Sequence, residues 1–149
     1  MPSPSTNYAP GISKLSSDPS GYDPSHTEFY ISDGRYAAAQ DSYLDDSQWL
    51  EFARNLQSFP GDLASEVIFG GVYPEAAYYI FLRAFIFDEV GHAALEIRIA
   101  RNGDEVLTAK SHFSIRCEVA TLNRLGSELQ RWIESGDNEF EFRAKSELR

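Results

Sequence analysis

The chain has 149 residues and a mass of 16.7 kDa, the size of one domain, with 42% hydrophobic and 24% charged residues. These are globular proportions, and no apolar run approaches the roughly 20 residues that cross a bilayer, so wholesale disorder and a helical membrane span are excluded. Thirteen Lys and Arg against twenty-three Asp and Glu leave a net charge of −10; that field repels a phosphate backbone, so neither nucleic acid nor membrane is an expected partner.

In chain order, residues 1–26 come first. They are rich in Ser, Gly, Asn and Asp and carry Pro2, Pro4, Pro10, Pro19 and Pro24, with Ile12 and Leu15 as the only aliphatics larger than Ala. So little apolar surface does not offset the entropy of ordering a backbone, and the composition predicts a flexible tail over 1–26 followed by one domain over 27–149. Two strand-like runs, Glu28–Ser32 and Arg35–Gln40, flank Asp33-Gly34, a pair favoured in type I′ hairpins. Asp45-Asp46-Ser47 then supplies an N-cap and first-turn acids to a helix over Ser47–Ser58, with Trp49, Phe52, Ala53 and Leu56 at helical spacing and Pro60-Gly61 as the stop.

Beyond Pro60 the hydrophobic period changes to two. Strands are predicted at Glu66–Phe69, Ala77–Phe87, Ala93–Ala100 and Lys110–Glu118, joined by turns at Gly70-Gly71, Asp88–Gly91 and Asn102-Gly103. Turns this short imply an antiparallel meander. A closing helix over Thr121–Glu134 carries Leu122, Leu125, Leu129 and Trp132 on one face, and Gly136 ends it. The predicted order is β-β-α-β-β-β-β-α: an α+β fold with one antiparallel sheet of about six strands packed with two helices. Its expected core holds Trp49, Phe52, Leu56, Ile80, Leu82, Ile97, Ile99, Phe113, Ile115, Leu122, Leu125 and Leu129.

Candidate surfaces come from the patterning. In Ala77–Phe87 both parities are apolar, interrupted only by Arg83, so the strand is either covered on both faces or exposes an aromatic patch around Tyr79, Phe81 and Arg83, types enriched at binding centres. Open, such a strand would also invite pairing between copies, and a monomer or weak homodimer is expected. The segment Asp41–Glu75 holds seven acids and one base, so Asp45, Asp46 and Glu51 mark either a solvated face or a surface that steers a partner.

Chemistry is sparse by comparison. The sequence has no Gly-rich phosphate loop, no His-Glu-x-x-His and no Gly-x-Ser-x-Gly. Cys117 is the one cysteine and shares the inward parity of Phe113 and Ile115, which makes it a small core residue and excludes an intrachain disulfide. His92, His112 and Glu96 would gather on one wet face if Ala93 stood opposite Phe113, and could then hold a metal. That trio is the alternative to a protein without metal, cofactor or catalytic residues. The start, Met1-Pro-Ser-Pro-Ser-Thr, has neither the basic residues nor the apolar run of a secretory leader, so a cytoplasmic location is expected.

Over about residues 48–133, the Trp-led helix Trp49-Leu-x-Phe52-Ala53-x-x-Leu56, the aromatic strand leading into Asp88-x-x-Gly91-His92, the Ile-x-Ile and Phe-x-Ile strands and the closing helix from Leu122 to Trp132 resemble small immunity-like proteins of bacterial polymorphic-toxin systems. The resemblance implies a non-enzymatic protein that binds a cognate, often basic, toxin domain and blocks it. The surfaces then expected to serve are Asp45, Asp46 and Glu51 on the first helix and Tyr79, Phe81 and Arg83 on the aromatic strand.

Overall fold

The computed structural model describes residues 11–17 (as backbone), 26–61 and 65–144. Strands β1 (Gly11–Ser17), β2 (Thr27–Ser32) and β3 (Ala37–Ser42) precede helix α1 (Asp46–Gln57). Strands β4 (Val67–Gly70), β5 (Tyr78–Ile86), β6 (Ala93–Arg101) and β7 (Ala109–Cys117) lead to helix α2 (Val119–Ser135) and the two-residue strand β8 (Glu139–Phe140). Among the described residues the architecture is α+β with two helices and antiparallel sheets.

The expected single sheet is divided in two. β4-β5-β6-β7 is the predicted meander, but the opening hairpin does not join it; it belongs to a second sheet ordered β3-β2-β1-β8. β1 lies within the stretch whose composition predicted a tail, and it pairs with β2 from Gly11↔Ser32 to Ser17↔Thr27 and with β8 at Leu15↔Phe140. Backbone hydrogen bonds need no hydrophobic periodicity, which is why composition and pattern miss a strand wedged between two others. The rest of the predicted tail, residues 1–10 and 18–25, lies outside the described residues.

Both ends of α1 are fixed by side-chain hydrogen bonds. Asp45 is the N-cap, accepting from the Gln48 N–H at 3.1 Å while the Gln48 side chain accepts from the Asp45 N–H at 3.1 Å, a complete capping box. At the other end Asn123 of α2 donates through Nδ2 to the carbonyls of Leu56 and Phe59, both at 2.8 Å, so the second helix caps the first. Gly126 makes this approach possible, since a Cβ there would stand 2.5 Å from the Ala53 carbonyl oxygen. α2 ends at Gly136 in the left-handed conformation, φ 75°, which turns the chain back into β8.

One core joins these parts. Trp49 packs against Phe69 of β4 with ring centroids 4.1 Å apart and meets Phe29 of β2 edge-on at 6.3 Å, so a single side chain touches both sheets. All the expected core residues are buried except Phe113, which is half-buried beside the core, and the Cys117 side chain is buried as its parity required. Gln40, nearly buried on β3, ties the sheets together by donating to the carbonyls of Ala100 at 2.8 Å and Tyr79 at 3.2 Å.

The hairpin turn also departs from expectation. Ser32↔Ala37 closes a four-residue loop, Asp33–Tyr36, in which the Asp33 carboxylate accepts from the N–H groups of Arg35 and Tyr36 at 2.8 and 2.7 Å. Only Gly34 has positive φ, whereas a type I′ turn needs two such residues. The aspartate side chain stabilises the longer loop and shifts the pairing of β2 with β3 by two residues.

Candidate functional site

Within the meander sheet, side chains alternate between a face under the helices and an outer face. Ile80, Leu82 and Ala84 of β5 and Leu95, Ile97 and Ile99 of β6 point into the core. On the other side of the sheet stand Tyr79, Phe81, Arg83 and Phe85, all half-buried, with exposed Ile68 of β4 beside them. The strand is thus neither fully covered on both faces nor openly exposed: its aromatic row is half-buried.

Glu96 is the centre of this outer face. Its side chain is only 8% exposed, and it accepts from Arg83 Nε at 2.8 Å, Arg98 Nε at 3.0 Å and His112 Nε2 at 2.7 Å. Burial by itself would push the carboxyl up, but the hydrogen bonds from Arg83, His112 and Arg98 and the Arg98 charge overcome it and hold it at about 2. Arg83 bridges onward to Glu66 at 2.9 Å, and these two carboxylates raise its pKa further above the ordinary guanidinium value. The guanidiniums in turn lie over aromatic rings, Arg83 at 3.9 Å from the Phe85 centroid and Arg98 at 5.6 Å from that of Phe81. Lys110 and Arg116 of β7 share this outward parity, which gives an acidic protein one face where cations outnumber anions.

At one end the face runs into a groove of about 310 Å³, where Tyr79 meets Tyr43, Gln48, Val72, Tyr73 and Tyr78. Val72 and Tyr73 are 71% and 74% exposed, so the groove wall is solvated aromatic and aliphatic surface rather than core. Its floor depends on Gly70 and Gly71, at φ 71° and 82°: a Cβ on Gly70 would lie 2.3 Å from the Ile80 carbonyl oxygen, and one on Gly71 2.6 Å from the Phe81 ring. Asn102 holds the far wall by donating to the carbonyls of Pro74 and Ala76.

The six residues expected at a partner surface are thus divided. Phe81 and Arg83 are on the outer face, and Tyr79 belongs both to that face and to the groove. Asp45, Asp46 and Glu51 are exposed on α1, which packs against the inner face, so only the Tyr79 end of the aromatic row comes near the start of that helix. Asp45 is occupied as the N-cap, its carboxyl lowered by hydrogen bonds from the Ser47 hydroxyl and the Gln48 N–H. Sequence reasoning found the strand, Tyr78 included, but not Val72 and Tyr73, because nothing in their spacing announces that the loop before β5 folds beside Tyr43.

The trio His92, His112 and Glu96 is not assembled. Ala93 stands opposite Cys117 and Phe113 opposite Ile97, a four-residue difference from the expected register. Seven residues, from Asn102 to Thr108, form the connection, with Asp104 accepting from the N–H groups of Val106 and Leu107. An even shift preserves which side chains face inward but moves partners along the strand. His112 therefore lies beside Arg98 and Glu96, whereas His92, six residues from the Arg98 rung or roughly 20 Å at the usual rise, pairs with Asp88 at 2.6 Å. Moreover, the guanidiniums and imidazole already on Glu96 occupy its acceptor sites.

No family model, curated protein or solved structure matches the chain. Among the described residues, no helix is long and apolar enough to cross a membrane.

Proposed function

We propose that the protein is a non-catalytic binding module and, within that class, an immunity protein that blocks a cognate toxin domain. The observation that supports it is the continuous surface from the groove of Tyr43, Tyr73 and Tyr78 through Tyr79 to Phe81 and Phe85, where exposed and half-buried aromatics are set beside arginines. Tyr and Arg are the residue types that dominate binding energy, and rigid aromatic side chains lose little entropy when a partner covers them. Glu96 serves this surface by fixing Arg83 and Arg98 before a partner arrives, so less ordering remains to be done on association.

The cationic surroundings change the expected charge of the contact. A toxin domain docking here presents carboxylates to Arg98, Lys110 and Arg116, while the acidic helix, with Asp46 and Glu51, steers approach over a longer range or contacts a basic part of the same partner. β5 itself offers no edge for self-association, since it is flanked by β4 and β6. A homodimer formed through β5 would have to use its outer face, the same one as the partner.

The test is binding to toxin domains encoded by the genes adjacent to this one. Tyr73→Glu, at a 74% exposed position where a charge leaves the core untouched, is expected to weaken the complex by about 2 kcal/mol, roughly thirtyfold. Asp46→Lys with Glu51→Lys is expected to slow association and weaken its salt dependence, with dissociation little changed. Full binding by Tyr73→Glu, or no binding of any neighbouring toxin by the wild type, overturns the reading.

A further inference from the structure

On the sheet of β2 and β3, two carboxylates and an imidazole converge. Thr27, Phe29 and Ile31 point into the core, so Glu28 faces the opposite way, and His26, two residues earlier, joins it. Glu28 stands directly across from Asp41 in the ladder, and one ligand atom from each of His26, Glu28 and Asp41 lies within 4.8 Å of the others. We propose that these three side chains form a binding site for a divalent transition-metal ion, with zinc as the ion their chemistry fits best.

Three observations carry this beyond mere proximity. First, like charges directly opposed across strands destabilise a sheet, and among the described residues neither carboxylate is paired with a Lys or Arg. The cation-capable neighbour is His26, whose Nε2 is 2.9 Å from Asp41 Oδ1. A dication between the carboxylates removes that repulsion. Second, the donor set is mixed: two carboxylates with one imidazole suit zinc better than magnesium or calcium, which take oxygen ligands alone. The ladder sets the Glu28-to-Asp41 spacing, and the Tyr43 ring stacks on the imidazole at 5.0 Å and 12°, fixing its plane as supporting groups do at metal centres. Third, Glu28 and Asp41 border a cavity of about 380 Å³, walled also by Gln40, Tyr78 and Arg101. Three protein ligands beside such a cavity leave a coordination position open to water or to a small anion facing Arg101.

The site adjoins the groove through Tyr43 and Tyr78, but none of its three ligands belongs to the protein-binding surface, and it is tested without a partner. Untagged, chelator-treated protein is titrated with zinc chloride at neutral pH in a calorimeter. One equivalent is expected to bind, and His26→Gln and Asp41→Asn are each expected to weaken it by about tenfold or more, with far-UV circular dichroism unchanged. Glu28→Gln, at an exposed position, provides a third variant should either of the others disturb the hairpin. His92→Gln is expected to bind as the wild type does. The proposal is overturned if the wild type shows no saturable binding at millimolar zinc, if the folded His26, Glu28 and Asp41 variants retain full affinity, or if His92→Gln abolishes binding.

Discussion

A histidine meets carboxylate on each of the two sheets, but the surroundings make the two clusters different objects. On the meander, His112 joins a carboxylate already held by two arginines; on the other sheet, His26 joins Asp41 and Glu28, to which no described guanidinium or ammonium is paired. Glu96 is consequently a structural anion, its acceptor sites filled and its proton held off down to about pH 2. Asp41 and Glu28 retain oxygen lone pairs for something else. A cluster of titratable groups therefore has to be judged by what already satisfies it, and not by which residue types it contains.

Stability should separate the clusters most strongly. Glu96→Ala leaves Arg83 and Arg98 without their shared anion and is expected to cost about 2 to 3 kcal/mol in denaturant unfolding, reduced from a fully buried pair because both arginines reach water. Asp41→Asn, measured without metal, is expected to be neutral or slightly stabilising, because it relieves the repulsion with Glu28. Equal losses at both positions would break the distinction.

Acid sensitivity sharpens it. Because the folded state lowers the Glu96 carboxyl from 4.5 to about 2, its contribution is fully present above about pH 4.5 and disappears as pH falls towards 2. Unfolding curves of the wild type across that window should lose stability faster than those of Glu96→Gln, which lacks the titrating group. Parallel pH profiles would mean that the carboxylate is not held as described. The smallest effect belongs to His112→Gln. The imidazole is 57% exposed, and two arginines remain on Glu96, so the change in unfolding free energy at neutral pH should stay within about 0.5 kcal/mol.

Much of the framework is written in local pattern. Asp45 through Gln48 specify where α1 begins, Gly136 where α2 ends, and strict alternation along Leu95–Ile99 and Phe113–Cys117 specifies which side chains enter the core, whatever the pairing partner. These signals act over a few residues, so one sequence suffices to read them. Pairing across longer distances is a different matter. Loop length sets register, and in both the β2–β3 and β6–β7 connections an aspartate stabilises a loop longer than a two-residue turn. The first shift placed Asp41, rather than Ala39, opposite Glu28; the second separated His92 from His112.

The sequence alone determined the α+β class, the two helices, the meander and most of the core residues that the helices and the meander supply. Only the tertiary structure decided that the strands form two sheets, that β1 and β8 complete the first, that Tyr43, Tyr73 and Tyr78 share a groove, and which histidine keeps company with unsaturated carboxylates. The physical reason is that burial follows periodicity within one element, whereas backbone pairing and charge clusters depend on which elements meet, and any strand offers the same N–H and C=O groups to every possible neighbour.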